Sequence, residues 1–335
     1  MEENRQYYSF RTPQFETPEV KPPRKKFFGV WTNIVLFAAT CVTTVMSGVV
    51  WLGKDPYDIS NFHLGITYAA LILLFLSFHE FGHYFAARYH KVNVTLPYYI
   101  PFFVTDFLLS FGTMGAVIRI RQPIRSKKAL FDIGIAGPIA GFIIASGSII
   151  YGLLTLPPVE YLYAIHPEYI STGIPPESGF AFANTLLYTV LKNILPLPQN
   201  SYLPSMSEIY HYPFLCAGWF GLFVTSLNLM PVGQLDGGHI TYALLGKWHK
   251  YIARIFYGLL VIMTAIGALN EFAVLDWYNY GSLMWAVWLI LILFVIKIDH
   301  PPIYDPVDLG WGRKLLGIFA FLMFICSFTP APIRV

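Results

Sequence analysis

Charge is scarce in this chain. Only 12% of its 335 residues are Asp, Glu, Lys or Arg, whereas soluble domains carry about a quarter. Too few charges are present to coat a water-soluble surface of this size, which excludes a cytosolic enzyme and a disordered chain. The net charge of +3, from 22 basic and 19 acidic residues, is too small for a phosphate-binding surface, so no nucleic-acid partner is expected. Cysteine is scarce too. Cys41, Cys216 and Cys326 lie far apart, each in an apolar run. That excludes a disulfide frame or a thiolate zinc site and leaves packing roles. No internal repeat of fixed period is visible. What the chain has is apolar surface: 56% hydrophobic residues and a mean hydropathy of +0.54. Such a chain belongs in a lipid bilayer.

A membrane span needs about 20 mostly apolar residues. Residues 29–52, 64–89, 129–154, 212–244, 251–269 and 281–298 qualify, and 314–329 form a shorter seventh candidate. The stretch 97–118 is apolar but interrupted by Pro97, Pro101, Gly112 and Gly115, and it contains Asp106. Irregular backbone cannot face lipid, so this stretch is expected to be a re-entrant hairpin buried in protein. Residues 113–120 are rich in β-branched side chains and suggest a strand. The expected fold is an all-α polytopic membrane protein with about six to seven transmembrane helices and a buried re-entrant β-hairpin-like segment. Residues 1–28 are polar and Pro-rich and are expected to form a disordered cytoplasmic tail. The first apolar run starts too late for a cleaved signal peptide. Residues 29–330 are expected to form one transmembrane domain, with a core over 64–244 and an external loop over 155–211.

Lysine and arginine set the orientation. If the spans alternate, 19 of the 22 fall on one side. They precede the first span, end the second, precede the third, and follow the fourth and sixth. Only Lys54, Lys192 and Arg334 fall on the other side. Scattered charge would divide nearly evenly, so this asymmetry supports the span count and a cytoplasmic N-terminus.

The second span contains His79-Glu80-Phe81-Gly82-His83. Residues four apart share a helix face, so both imidazoles can reach one metal ion, with Glu80 beside them as a general base. Ionisable groups inside a span are costly and functional by default. His79 lies ten residues before Tyr89, about 15 Å deep. A catalytic zinc normally takes three protein ligands, and Asp106, Asp132, Asp236 and His239 are the candidates for the third. Asp236 is preferred. Pro231 and Gly233 interrupt its span, which can turn a side chain inward, and it falls near the same end of the span as the histidines. Asp132 is the reserve, with a helix N-terminal charge as its ordinary role.

His79-Glu80-x-x-His83, followed in a later span by Asn228-x-x-Pro231-x-x-x-Leu235-Asp236-Gly237, resembles the site-2 protease family of intramembrane zinc metalloproteases. Gly134-x-x-Gly137-x-x-x-Gly141 also resembles a family feature, though close helix packing alone would account for it. The hairpin stretch and the segments at His300-Pro-Pro and Gly310-Trp-Gly-Arg-Lys are most similar to the chloroplast EGY-type branch and its bacterial relatives. Loop 155–211 is too short for the PDZ domain of many bacterial members, and no CBS domain is expected.

The resemblance implies hydrolysis of a peptide bond in or near a transmembrane segment of a membrane-protein substrate. It implies one zinc per chain held by His79, His83 and Asp236, with Glu80 as the acid–base. Asn228 is either a transition-state donor or a structural partner. A strand at 113–120 could pair with an unwound substrate. The rival reading is a membrane transporter or metal permease using the same His/Asp cluster, since broken helices with intramembrane His and Asp also mark transport sites. A non-catalytic scaffold would be expected to have lost ligands. The absence of an evident transit peptide points to a bacterial inner membrane rather than a plastid.

Overall fold

The computed structural model describes residues 29–103, 111–175, 179–272, 274–303, 305 and 307–334. The N-terminal tail 1–28 and Asp106 lie outside the described residues. In chain order the helices are α1 (Gly29–Val50), α2 (Phe62–Tyr89), α3 (Lys127–Leu154), α4 (Glu160–Ile165), α5 (Tyr169–Thr172), α6 (Leu186–Ile194), α7 (Pro213–Asn228), α8 (Asp236–Leu245), α9 (His249–Glu271), α10 (Trp285–Leu291) and α11 (Trp311–Ser327). The strands are β1 (Tyr98–Pro101), β2 (Thr113–Val117), β3 (Ala181–Phe182) and β4 (Ile333–Arg334).

The interior is largely apolar, and α1 also presents apolar side chains outward while burying small and polar ones, the reverse of a helix on a water-soluble bundle. On α1 the buried face is Thr40, Thr44, Ser47 and Gly48, whereas Val30, Trp31, Ile34, Val35 and Val42 are exposed. Small side chains let helix backbones approach, and the threonine hydroxyls donate to carbonyls one turn back (Thr40 Oγ1 to Leu36 O, 2.8 Å; Thr44 Oγ1 to Thr40 O, 2.7 Å). These bonds lie within α1 and leave no buried hydroxyl unmet on its packed face; in lipid it is the close packing that holds such helices together, because exposed leucine or valine costs nothing there. The stretches 29–50, 59–89, 127–154 and 236–271 are long and apolar enough to cross a membrane. The last is divided by a 3₁₀ turn at Gly246–Trp248. α7 and α10 are shorter, and α10 continues as a π-helical turn to Ile296.

The expected span 212–244 is thus two helices with a break at 229–235. Pro213 starts α7 at a position where a missing N–H costs nothing. Pro231 then cannot donate, and Gly233 adopts φ 53°, which favours glycine. The freed backbone is satisfied from elsewhere, since Gly233 N–H donates to Ile298 O at 2.9 Å.

β1 and β2 pair antiparallel, Tyr98 opposite Val117 and Tyr99 opposite Ala116, with an irregularity before Pro101 opposite Thr113. Regular pairing stops at Val117, short of the expected 120, and resumes as a single bridge between Val94 and Ile120. The hairpin leans on α1: Asn33 Nδ2 donates to Pro97 O (2.6 Å) and Thr43 Oγ1 to Gly112 O (2.7 Å). It is buried on one face only. Tyr99 and Ala116 are covered, whereas Met114 and Val117 are exposed.

Contacts between segments far apart in sequence define the two ends of the bundle. At one end, Asp132 in α3 pairs with Arg313 in α11 and lies 2.7 Å from the ring of His90, which follows α2. There Asp305 also accepts from Lys127 N at 2.9 Å. The backbone amides of Val307 and then Lys127 hold that carboxyl below its usual range. At the other end, β3 pairs with β4, Trp219 Nε1 donates to Ala183 O (2.8 Å) and Trp285 Nε1 to Pro330 O (2.6 Å).

Candidate metal centre

α2 carries His79, Glu80 and His83, all buried. The helical i, i+4 spacing brings the two Nε2 atoms to 3.1 Å. Ile133 O is 2.7 Å from His83 Nδ1. A carbonyl only accepts, so Nδ1 carries the proton and Nε2 presents its lone pair. Asp236 stands in the first turn of α8, where the helix dipole favours a carboxylate. Its Oδ2 lies 3.5 Å from His79 Nε2 and 3.3 Å from His83 Nε2. The break before α8 therefore aims the carboxylate at the histidines.

These three atoms fit a zinc ion. Bonds of about 2.0–2.1 Å in tetrahedral geometry separate neighbouring ligand atoms by roughly 3.3 Å, close to the 3.1, 3.3 and 3.5 Å found here. The donor set of two imidazoles and a carboxylate also suits zinc. Asn228, the last residue of α7, reaches the same cluster, its Nδ2 3.3 Å from His79 Nε2. Glu80 is outside the three-atom cluster and 6% exposed, with the backbone of Ile118, one residue past β2, against its carboxylate.

Of the other candidates, Asp132 and His239 are engaged elsewhere. Arg313 grips Asp132 with two hydrogen bonds, Nε to Oδ1 at 2.8 Å and Nη2 to Oδ2 at 2.7 Å, and His90 adds a third contact at 2.7 Å. His239 pairs with His300, Nδ1 to Nε2 at 2.8 Å. Sequence reading missed both arrangements, because no local signal announces a partner 181 or 61 residues away.

It also undervalued the glycines of α3. A Cβ on Gly137 would overlap the His83 ring, and one on Gly141 would stand 2.9 Å from Phe75 and 3.1 Å from His79 Nδ1. The small-residue face of α3 is the floor of the site as well as a packing surface. Gly137→Ala is therefore expected to displace His83 and lower metal occupancy. Gly147→Ala, which meets nothing within 4 Å, should leave it unchanged. Elemental analysis of the two purified variants makes the comparison.

Comparison with known proteins gives the family. The model of peptidase family M50 matches residues 67–268, which include every side chain of the cluster. Three curated relatives are probable chloroplastic zinc metalloproteases. The rice (japonica) EGY1 protein is 28% identical over 75% of this chain and 38% of its own length. Arabidopsis thaliana EGY1 is 24% identical over 90% and 51%, and rice (indica) EGY2 26% identical over 80% and 44%. The chain thus spans about half or less of the length of these relatives. No solved structure matches. Two histidines one helical turn apart, an aspartate delivered by a broken later helix, and a family match over most of the chain converge: the chain belongs to peptidase family M50, the site-2 protease family.

Proposed function

We propose that the protein is a zinc-dependent intramembrane endopeptidase, hydrolysing a peptide bond in or near a transmembrane segment of a membrane-protein substrate. The observation that carries this reading is the meeting of His79 Nε2, His83 Nε2 and Asp236 Oδ2 within 3.1–3.5 Å of one another, beside buried Glu80, in apolar helices. His79, His83 and Asp236 hold the ion. Zinc bound there supplies a Lewis acid that polarises the scissile carbonyl. Glu80 takes the proton of the attacking water and returns it to the leaving amine. Asn228 donates its amide hydrogen to the developing oxyanion. The substrate helix must unwind to expose a carbonyl, and the edge of β2 not paired with β1 can receive it as an added strand. The closeness of Ile118 to Glu80 supports that placement.

The membrane arrangement proposed is one domain over 29–330 with seven crossings: α1, α2, α3, α7 with α8, α9, α10 and α11. Two facts support it. The trio His90, Asp132 and Arg313 joins the ends of α2, α3 and α11 that this order puts together. The β3–β4 pair returns the C-terminal residues to loop 155–211, which an odd number of crossings requires. The hairpin dips into the bilayer on the side of the basic loops. That side is taken as the cytoplasm of a bacterial cell and the membrane as its inner membrane, whereas the relatives are named chloroplastic. Reporter fusions at residues 20, 123 and 248 should read cytoplasmic and a fusion at 180 external. A cytoplasmic signal at 180 would overturn the order of crossings.

The transporter reading finds no support in a peptidase family match. The two separate cleanly in liposomes holding a single-span test substrate. The protease should cut the substrate and carry no zinc across, while a permease would carry zinc and leave the substrate intact.

A further inference from the structure

His166, Glu208 and His211 make a second group of ligand-type side chains, at the end of the bundle where α1 finishes. His166 sits in the turn between α4 and α5, and Glu208 and His211 sit at the 3₁₀ turn just before α7. Glu208 and His211 are 3% and 2% exposed, deeper than anything an external loop needs for solubility.

Each of the three is held so that one donor atom faces the other two. Trp51 O, at the end of α1, is 2.6 Å from His211 Nδ1. The carbonyl can only accept, so Nδ1 is protonated and Nε2 presents a lone pair. Glu168 Oε1 takes His166 Nδ1–H at 2.9 Å, which turns that ring's Nε2 inward in the same way. Tyr169 donates its hydroxyl to Glu208 Oε1 at 3.0 Å and stacks on the His166 ring, centroids 4.7 Å apart. Glu208 Oε2 is buried with no hydrogen-bond donor among the described residues. The inward atoms are close: His166 Nε2 to His211 Nε2 is 2.9 Å, and His211 Nε2 to Glu208 Oε2 is 3.4 Å. Three lone pairs facing one another in a buried space repel, and an unmet buried acceptor is costly. A cation among them removes both penalties.

We propose that His166, Glu208 and His211 bind a second zinc ion, which ties the 160–172 segment to the base of α7 and the end of α1. The donor set, two imidazoles and a carboxylate, is the same as at His79, His83 and Asp236 and suits zinc. Ligands fixed through their second atom by a backbone carbonyl, a carboxylate or a hydroxyl are the usual second layer of a metal site. The ligands come from two separate stretches of the loop and lean on a third element, so binding closes a long connecting segment onto the bundle. The role is structural, and it does not rest on the protease reading.

The test is zinc content of the full-length protein, purified in detergent after equilibration with buffered zinc. The unaltered chain should hold two zinc ions per chain. His166→Ala, at a partly exposed position, and Glu208→Gln, which keeps the side-chain volume, should each hold one. The double variant His79→Ala/His83→Ala should also hold one, and adding His166→Ala to it should bring zinc close to zero. Unchanged zinc in both His166→Ala and Glu208→Gln would overturn the proposal and leave a proton shared between the two rings. If the His79/His83 double variant kept both ions while His166→Ala lost one, the outer site would stand and the intramembrane metal site would fall.

Discussion

Glu80→Gln is expected to abolish most of the cleavage while leaving zinc content and fold intact. Gln has nearly the volume of Glu and still hydrogen-bonds, but it cannot take up a proton. Glu80 lies outside the three-atom cluster, so no ligand is lost. Loss of a general acid–base typically costs about 10²–10⁴-fold in rate, roughly 3–5.5 kcal/mol of barrier. The upper end is expected, because one carboxylate serves both the proton removal and the proton return. The check is the initial rate on a single-span substrate in liposomes, with zinc measured on the same sample. A Glu80→Gln variant that loses zinc would make the residue a ligand or structural partner instead.

His83→Ala and Asp236→Ala are expected to go further, each removing one zinc per chain and with it all measurable cleavage. The two residues contribute donor atoms 3.3 Å apart from opposite sides of the cluster, so either loss leaves a bilayer-buried ion two-coordinate by protein. Asp132→Ala and His239→Ala should keep full zinc, because those side chains are engaged with Arg313 and His300. Elemental analysis of the four variants decides the third ligand. Full zinc in Asp236→Ala combined with loss in Asp132→Ala would reverse the assignment.

How much of this could be read before the structure depends on the range of the interaction. The His79/His83 face was legible because it is local: a 3.6-residue turn brings i and i+4 together in any helix. The break at 229–235 was legible because Pro231 and Gly233 act on their own backbone. The helix boundaries within 212–244 were not, since hydropathy runs on through a break whose backbone is satisfied by Ile298. The hairpin 97–120 was visible as interrupted apolar sequence, but its one-sided burial depends on α1, which no local pattern encodes. The floor role of Gly137 and the Asp132–Arg313 pair depend on which helices become neighbours. The outer trio was invisible for the same reason: His166 meets His211 across 45 residues that include α5, β3 and α6.

The proposed hydrolysis of a peptide bond within the membrane, through Glu80 and an ion at His79, His83 and Asp236, is tested most directly by mass spectrometry of a single-span substrate incubated with the reconstituted protein in oxygen-18 water. Two complementary fragments cut in or beside the apolar span are expected. The new carboxyl terminus should carry one heavy oxygen, and the fragments should be lost in Glu80→Gln and after zinc chelation. The same labelled fragments formed at an undiminished rate by Glu80→Gln would contradict this mechanism.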